Sequence, residues 1–335
     1  MAPQRLILAH TPTPLWRNQV LDTLVGAQVW VKRDDMSSGA AAGNKVRKLE
    51  FLLADARARS STHIVTCGGS QSNHARATAV LAAELAIKSV LLLRTDEPET
   101  PPELQGNLLL DRLVDANIRW ISPAQYAERD VLMAAVAREI DAQGGRAYVI
   151  PEGGSNGLGA LGYVEAMREV RQQLDGGQAG ALEQFDCVVH ACGSGGTAAG
   201  TALGALQFDV AQRVEAMAVC NDAAYFGNAV ERIIAEARDY DPELLGAVEL
   251  TIHDRYKGPA YAVQSDEQRR FLIEVARRTG LILDPVYSGK ALYGLAQLPQ
   301  KPERVLFIHT GGLPGLLAQS RELAPSLKGN TSQPG

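Results

Sequence analysis

The feature that most constrains the fold is a regular alternation of almost unbroken apolar runs with amphipathic segments. Short Val/Ile/Leu runs are typical of parallel strands buried on both faces, and the segments between them have the apolar spacing of helices. This alternation predicts an α/β fold in which helices cover parallel sheets. The predicted strands are Val29–Lys32, His63–Thr66, Ser89–Leu93, Ile118–Ile121, Ala147–Ile150, Asp186–Ala191, Glu215–Val219 and Val305–His309, and the predicted helices include Val46–Ala58, Asn73–Leu85, Val131–Gln143, Leu161–Leu174 and Glu267–Thr279.

Length, charge and cysteine pattern exclude several classes of protein. A chain of 335 residues indicates two lobes. Its net charge of -5 gives no reason to expect nucleic acid or an anionic membrane as partner. No apolar stretch approaches the roughly 20 residues of a membrane span, and we find no signal-peptide pattern. Cys67, Cys187, Cys192 and Cys220 lack zinc-site spacing, so we expect no metal and a reduced, cytoplasmic setting.

A lysine follows the first predicted strand, in the segment Gly43–Lys48. Gly43 and Asn44 suit a bend, which places Lys45 at the start of a helix. The helix dipole disfavours a cation there and lowers the lysine pKa, so the amine becomes available as a nucleophile or base. The alternative is a solvated basic face, because Arg47 and Lys48 follow.

A glycine-rich loop, Gly193–Thr197, directly follows another predicted strand. Main-chain N–H groups that converge at such a helix start bind phosphate. The loop also fits the looser dinucleotide pattern, with Gly193, Gly195 and Ala198, which leaves a nicotinamide dehydrogenase open as an alternative. In that alternative Asn221 or Asp222 would end the next strand.

Two further junctions between a strand and a helix carry polar side chains. The segment Thr66–His74 concentrates hydroxyls, amides and an imidazole, although Ser70 or Ser72 would also serve as a helix N-cap. In Glu152–Gly157 the simplest interpretation is a turn capped by Ser155 or Asn156.

Three further segments are candidates for ligand loops, and two of them contain a tyrosine. Asp284–Lys290 contains Tyr287 and Ser288 between a proline and a glycine, and the structural alternative is a helix capped by Ser288. Gly258–Tyr261 and His309–Gly312 are weaker candidates for ligand loops. The six histidines show no H-E-x-x-H or similar metal-binding spacing.

All five junctions fit one cofactor, pyridoxal phosphate, which offers an aldehyde to a lysine and a phosphate to a glycine loop. Taken together, the sequence resembles the D-cysteine desulfhydrase and 1-aminocyclopropane-1-carboxylate (ACC) deaminase family, within the two-lobed tryptophan-synthase-β-like fold. The segments that carry the resemblance are Lys32–Asp35, Gly43–Glu50, Gln71–His74, Gly153–Asn156, Gly193–Thr197, Asp284–Tyr287 and His309–Gly312.

The resemblance implies a role for each matching residue. Lys45 is the Schiff-base lysine and moves the Cα proton, Ser72 touches the substrate carboxylate beside it, and Asn73 binds the cofactor's ring hydroxyl. Tyr261 and Tyr287 lie over the substrate. Further phosphate- and cofactor-binding residues are Lys48, Gly193, Ser194, Gly195, Gly196, Thr197 and Ser288, and further substrate-binding residues are Gln71, Asn73 and His74.

The resemblance also implies a domain plan. A large cofactor domain combines residues 1–48 and 161–335, and a small α/β domain, residues 49–160, is inserted between these parts. The cofactor would lie in the cleft between the domains. A homodimer is the family expectation.

The residue after Tyr287 separates the subfamilies. ACC deaminases of this family carry a glutamate there, near the pyridine nitrogen, whereas this chain has Ser288. A neutral hydroxyl suits an unprotonated nitrogen and a weaker electron sink, which is adequate for β-elimination. We therefore expect D-cysteine as substrate, with pyruvate, ammonia and hydrogen sulfide as products. An L-cysteate sulfo-lyase, an ACC deaminase and a non-catalytic binding protein stay open, and the residues Cys67–Ser70 and Met36–Ser38 have no assigned role.

Overall fold

The computed structural model describes residues 3–327, and its larger sheet combines strands from the first and the last parts of the chain. Its strands are β1 (Leu15–Arg17), β2 (Gln28–Lys32), β7 (Phe185–Cys192), β8 (Ala211–Ala218), β9 (Leu250–His253) and β10 (Arg304–Ile308). Within the described residues their order is β1-β2-β10-β7-β8-β9, and every pair is parallel except β1 with β2. β2, β7 and β10 are nearly continuous apolar runs, as expected for strands covered on both faces.

The smaller sheet comes from the middle of the chain. Its strands are β3 (His63–Gly69), β4 (Lys88–Arg94), β5 (Asn117–Ile121) and β6 (Ala147–Val149), in the order β5-β4-β3-β6 and all parallel. The predicted α/β class is confirmed, and each predicted strand is present with shifted ends. β1 and β9 were missed because they are short edge strands without a continuous apolar run.

Helices cover both sheets, and the five predicted ones are present with shifted ends. Their bounds are α1 (Gln19–Val25), α2 (Lys45–Ala58), α3 (Asn73–Glu84), α4 (Gly106–Leu113), α5 (Pro123–Ala127), α6 (Arg129–Ala142), α7 (Gly157–Asp175), α8 (Gly196–Gln207), α9 (Ala223–Tyr240), α10 (Asp266–Thr279), α11 (Ser288–Gln297), α12 (Leu313–Ala318) and α13 (Ser320–Leu327). No helix among the described residues is long and apolar enough to span a membrane.

Helices α2, α7 and α8 pack at unusually close range because glycines stand at their contacts. A Cβ on Gly162 of α7 would lie 2.2 Å from the main-chain oxygen of Arg47, and one on Gly200 of α8 would lie 2.1 Å from that of Ala160. The predicted domain borders, 48/49 and 160/161, fall inside α2 and α7. Helices rather than loops therefore cross those borders, and the division into domains stays a prediction.

The basic segment after Lys45 is buried, not solvated. Arg47 and Lys48 are 2% and 1% exposed. Arg47 pairs with Asp34 at 2.8 Å and with Glu169 at 3.0 Å, and Lys32 also pairs with Glu169. These pairs tie α2 and α7 to the end of β2, so the alternative of a solvated basic face is wrong.

Candidate functional site

A cavity opens where the carboxyl ends of β3, β7 and β10 face the starts of α2, α3 and α8. Parallel strands place their following loops at one edge of the sheet, which is where ligands bind in α/β folds. The predicted site residues that line this cavity are Lys45, Ser72, Asn73, His74, Gly193, Ser194, Gly195, Thr197, Tyr261 and Tyr287.

Lys45 is the first residue of α2 and projects into the cavity. Its Nζ lies 2.9 Å from Oδ1 of Asn44 and 6.0 Å from the centre of the Tyr287 ring. Burial, helped by the positive charge of Arg76, lowers the pKa of Lys45 to about 8. The predicted lowering is confirmed, and its main cause is the loss of water around the buried amine.

The glycine loop forms the N-terminus of α8. Gly195 has φ +88, and a Cβ on Gly196 would lie 2.8 Å from Nζ of Lys48. Lys48 donates hydrogen bonds to the main-chain oxygen of Gly153 at 3.1 Å and to Oγ of Ser155 at 3.3 Å. Burial and the nearby Lys45 hold the pKa of Lys48 well below its ordinary value.

This arrangement fits a phosphate. Among residues 3–327, the buried Lys48 amine has no carboxylate within salt-bridge distance, and it lies at the end of α8 that attracts anions. A phosphate dianion placed there would supply the negative partner that the Lys48 amine lacks. Asp222, one of the two residues considered for the dinucleotide alternative, caps α9 by accepting a hydrogen bond from the Tyr225 N–H at 2.8 Å.

Ser72 and His74 lie at the β3–α3 junction, where Ser72 caps the helix and His74 bonds to a neighbouring side chain. Ser72 is the N-cap of α3, because its Oγ accepts from the Ala75 N–H at 3.1 Å, and its own hydrogen stays available to the cavity. His74 Nε2 is 2.8 Å from Oγ1 of Thr66. Burial lowers the pKa of His74 well below its ordinary value, so the ring is neutral.

Gln71 does not line the central cavity, and its predicted contact with the substrate stays a prediction. Its Oε1 accepts from the Asn107 N–H at 2.9 Å, and its Nε2 donates to the Gln105 main-chain oxygen at 3.0 Å. Residues at the start of α4 therefore hydrogen-bond both polar atoms of the Gln71 side chain. Gln71 lines only an adjoining opening.

Tyr261 and Tyr287 meet over the cavity with their hydroxyl oxygens 2.7 Å apart. Burial raises the pKa of Tyr261 to about 12 and that of Tyr287 well above its ordinary value, so both are protonated at neutral pH. Lys290 of α11 donates to the main-chain oxygen of Ala260 at 2.9 Å and thereby ties the Tyr261 loop to the helix that follows Tyr287.

Ser288 is not the helix cap of the structural alternative, because the N-cap of α11 is Tyr287. Asp284 accepts from the N–H groups of Tyr287 at 2.8 Å and of Ser288 at 2.7 Å. The buried Ser288 hydroxyl donates to Asp284 Oδ1 at 2.6 Å and does not line the cavity. Its contact with a cofactor ring nitrogen stays a prediction, and the residue that lines the cavity from the next loop is Thr310.

Several cavity residues were not predicted as site residues. Glu152 and Thr310 belong to junctions that were noticed, and the rule that ligands collect after strands would have found them. Asn44 was considered only as part of a bend, but its Nδ2 donates to Oγ1 of Thr197 at 3.1 Å and so joins the lysine helix to the glycine loop. The remaining ones are Gly68, Gly69, Gly153, Ala191, Cys192 and Ala198.

The structure shows the surroundings of the two segments that had no assigned role, Cys67–Ser70 and Met36–Ser38. Burial raises the pKa of Cys67 to about 12, so its thiol is un-ionised and unreactive. Ser37 accepts a hydrogen bond from the Gly43 N–H and donates one to the Gly43 main-chain oxygen, both at 3.0 Å. The Met36–Ser38 segment thus holds the bend before Lys45.

A second opening next to the cavity, distinct from the one that Gln71 lines, lies beside Tyr261 and carries arginines. The Arg94 guanidinium lies 4.8 Å from the centre of the Tyr126 ring and 5.8 Å from that of Tyr261. Arg129 pairs with Glu152 at 3.1 Å, whereas Arg94 forms no salt bridge within the described part of the chain. The opening therefore holds a guanidinium that is not paired directly with a carboxylate among the described residues.

Comparison with known proteins gives one consistent result. Residues 6–311 match the sequence model of the family described as "Pyridoxal-phosphate dependent enzyme". The chain is 42% identical to the Arabidopsis thaliana "Bifunctional D-cysteine desulfhydrase/1-aminocyclopropane-1-carboxylate deaminase, mitochondrial", over 97% of this chain and 82% of the relative. It is 43% identical to a "Putative 1-aminocyclopropane-1-carboxylate deaminase" of Thermotoga maritima, over 95% and 99% of the two chains. A solved "ACC deaminase homologue" superimposes with a TM-score of 0.84, at 35% identity and with 96% of each chain covered.

Proposed function

Because the chain belongs to the family of pyridoxal-phosphate dependent enzymes, we propose that it catalyses β-elimination on a small amino acid, with D-cysteine as the preferred substrate. Pyruvate, ammonia and hydrogen sulfide are the products. The name of the Arabidopsis relative, which includes D-cysteine desulfhydrase activity, supports this choice. Pyridoxal phosphate supplies an aldehyde for a lysine and a ring that withdraws electrons from Cα.

The residues of the cavity hold the cofactor in this proposal. Lys48 and the N–H groups of Gly193–Thr197 bind the phosphate, and Asn73 faces the ring hydroxyl. Lys45 carries the reactive amine, which a pKa of about 8 keeps partly unprotonated at neutral pH. The neutral His74 adds no second positive charge to the wall beside Lys45.

Proton transfer is assigned to Lys45 and to the tyrosine pair. The amine of Lys45 takes the proton from Cα, and the Cβ–S bond breaks as sulfide leaves with its electron pair. A hydroxyl of the Tyr261–Tyr287 pair, protonated at neutral pH, donates to the leaving sulfur. Ser72 directs its free O–H to the substrate carboxylate. Water then converts the resulting enamine to pyruvate and ammonium.

The observation that carries this proposal is the meeting of three features in one cavity. Lys45 with its lowered pKa, the tyrosine pair, and the glycine loop line the same space, and the buried Lys48 amine lies against that loop. A dinucleotide enzyme would leave the lysine and the tyrosine pair without a task.

The test combines absorbance with product analysis. We expect the purified protein to be yellow with bound pyridoxal phosphate, and the Lys45→Ala variant to lose that colour and all turnover. D-cysteine, L-cysteine, L-cysteate and ACC are then supplied in parallel. Sulfide and pyruvate from D-cysteine alone would establish the desulfhydrase, whereas normal turnover by Lys45→Ala would overturn the mechanism.

A second candidate, an L-cysteate sulfo-lyase releasing sulfite, is favoured by one specific observation. The Arg94 guanidinium in the opening beside Tyr261, which forms no salt bridge among the described residues, suits an anionic β-substituent such as a sulfonate. Arg94→Gln should then raise KM for L-cysteate by about tenfold or more, at the level of one charge-assisted hydrogen bond, and leave D-cysteine unaffected. Arg119→Gln, whose partner Glu139 lies on the protein surface, is the matched control.

ACC deamination is the third candidate, because the names of both curated relatives include it. Position 288 argues against it, since Ser288 offers no carboxylate that would keep the ring nitrogen protonated, as a glutamate there would. Release of 2-oxobutyrate from ACC at a rate similar to that of pyruvate from D-cysteine would contradict the role given to Ser288.

A further inference from the structure

A buried hydrogen-bond network runs from helix α4 to the Asn73 side chain at the cavity. Asn107 of α4 is fully buried. Its Oδ1 accepts from Nε of Arg76 at 3.0 Å, and its Nδ2 donates to the Gln71 main-chain oxygen at 3.0 Å and to Oδ1 of Asn73 at 2.9 Å. Every polar atom of the Asn107 side chain is therefore used.

The chemistry of these partners determines which way each amide points. A guanidinium only donates, so the atom of Asn107 that faces Arg76 must be the oxygen. A main-chain carbonyl only accepts, so the atom that faces Gln71 must be the nitrogen. Asn107 consequently offers an N–H to Asn73, and Asn73 must turn its Oδ1 to Asn107. The Nδ2 of Asn73 is left for the cavity, which Asn73 lines together with Lys45.

Arg76 makes this orientation rigid. Its terminal nitrogens donate to the main-chain oxygens of Ala40 at 2.6 Å and Ala42 at 3.0 Å, in the loop before Lys45. The side chain is 1% exposed. Turning the guanidinium would leave these buried carbonyls without donors, which is strongly unfavourable.

Resting on the proposed cofactor-dependent function, we propose that Asn107 is a positioning residue that makes Asn73 present its N–H, never its oxygen, to the ring oxygen of pyridoxal phosphate. A donor at that point stabilises the ionised ring oxygen, whereas an acceptor repels it. Asn107 thereby determines the ionisation state of the bound cofactor although it lies outside the cavity.

The test is Asn107→Asp in the holoenzyme, followed by its absorbance spectrum. The new carboxylate keeps an acceptor for Arg76 but faces Asn73 with a second acceptor, so the Asn73 amide turns over and its oxygen enters the cavity. We expect the chromophore to shift towards the band of the un-ionised ring hydroxyl, and the pH midpoint of that spectral change to rise by about one unit, the size of one charge-assisted hydrogen bond. Asn117→Asp, at an exposed asparagine of β5, is the control for the added charge.

A double-mutant cycle separates positioning from folding. Asn73→Ala should give the same spectral change as Asn107→Asp, and combining the two should add little, because both act through one N–H. A chromophore that is unchanged in Asn107→Asp, or effects that add fully, would overturn the inference. The proposed function has a separate check: it fails if the wild-type protein binds no pyridoxal phosphate through Lys45.

A second variant covers the case in which Asn107→Asp does not fold. Asn73→Asp keeps an acceptor for Asn107 and replaces the cavity-facing N–H with oxygen. The inference predicts a changed chromophore with a nearly unchanged Tm. A retained chromophore with a lowered Tm would mean that Asn73 points the other way.

Discussion

At the scale of single residues, the Lys45 amine is available for chemistry because its surroundings lower its pKa to about 8. The charged form is the one that burial disfavours, so stability is lost as pH falls from the ordinary lysine pKa towards that value. The same shift controls how the apoenzyme takes up its cofactor, since only the uncharged amine attacks an aldehyde.

We predict that the rate at which the apoenzyme turns yellow with added pyridoxal phosphate rises with pH and levels off above about pH 8, the pKa of Lys45. Stopped-flow absorbance measures this rate. A midpoint near the ordinary lysine pKa would show that Lys45 is solvated. Lys45→Ala is the control, and it should develop no such band at any pH.

Tyr287 gives a second prediction at this scale. Its hydroxyl bonds that of Tyr261 at 2.7 Å, and its ring lies beside Lys45. Tyr287→Phe should lower kcat by about 10²-fold, the lower end for a general acid or base, while affinity for pyridoxal phosphate stays nearly unchanged. Fluorescence titration of the apoenzyme measures that affinity, and loss of cofactor binding would show that Tyr287 is misassigned.

At the scale of secondary-structure elements, the site depends on contacts that hold loops to helix starts. Lys290 of α11 is fully buried and donates to the main-chain oxygens of Lys257 and Ala260. These bonds fix the loop that carries Tyr261 relative to Tyr287, one turn before Lys290. The tyrosine pair is therefore assembled by one helix and one tethered loop.

Replacing Lys290 with Met should release that loop. We expect kcat/KM to fall by about tenfold, the effect of misplacing a catalytic group, while the absorbance of the bound cofactor persists. Lys301→Met, at an exposed lysine, is the matched control. Unchanged kinetics in Lys290→Met would mean that the Tyr261 loop holds its position without this tether.

At the scale of the whole molecule, a buried ionic cluster joins β2, α2 and α7 below the site. Lys32 and Arg47 are paired with Asp34 and Glu169. The positive partners lower the pKa of both carboxyls below their ordinary values. Their contribution to stability is thus present above those ordinary values and is lost as pH falls below them.

Glu169→Gln should lower the free energy of unfolding by about 3 kcal/mol, because it leaves two buried cations with one carboxylate. The variant should also lose less stability than the wild type on acidification below about pH 4.5, the ordinary value for glutamate. Urea unfolding at several pH values measures both effects. Glu165→Gln, on the same helix but in half-exposed pairs, should change stability by under about 1 kcal/mol.

The expectation of a homodimer also belongs to this scale and stays a prediction. Sedimentation equilibrium of the purified protein tests it. A monomeric mass under conditions of full activity would contradict it.

The sequence by itself determined the fold class and, through the family resemblance of its motifs, the cofactor and the candidate site residues. The apolar periodicity and the loops after strands are local properties, so Lys45, Ser72, Asn73 and the loop Gly193–Thr197 could be located without a structure. What only the tertiary structure decided is the direction of side chains and the burial of charges. Gln71 turns to α4, the Ser288 hydroxyl turns to Asp284, and Lys48 is buried. Each outcome depends on donors, acceptors and walls from distant parts of the chain, which local spacing does not encode.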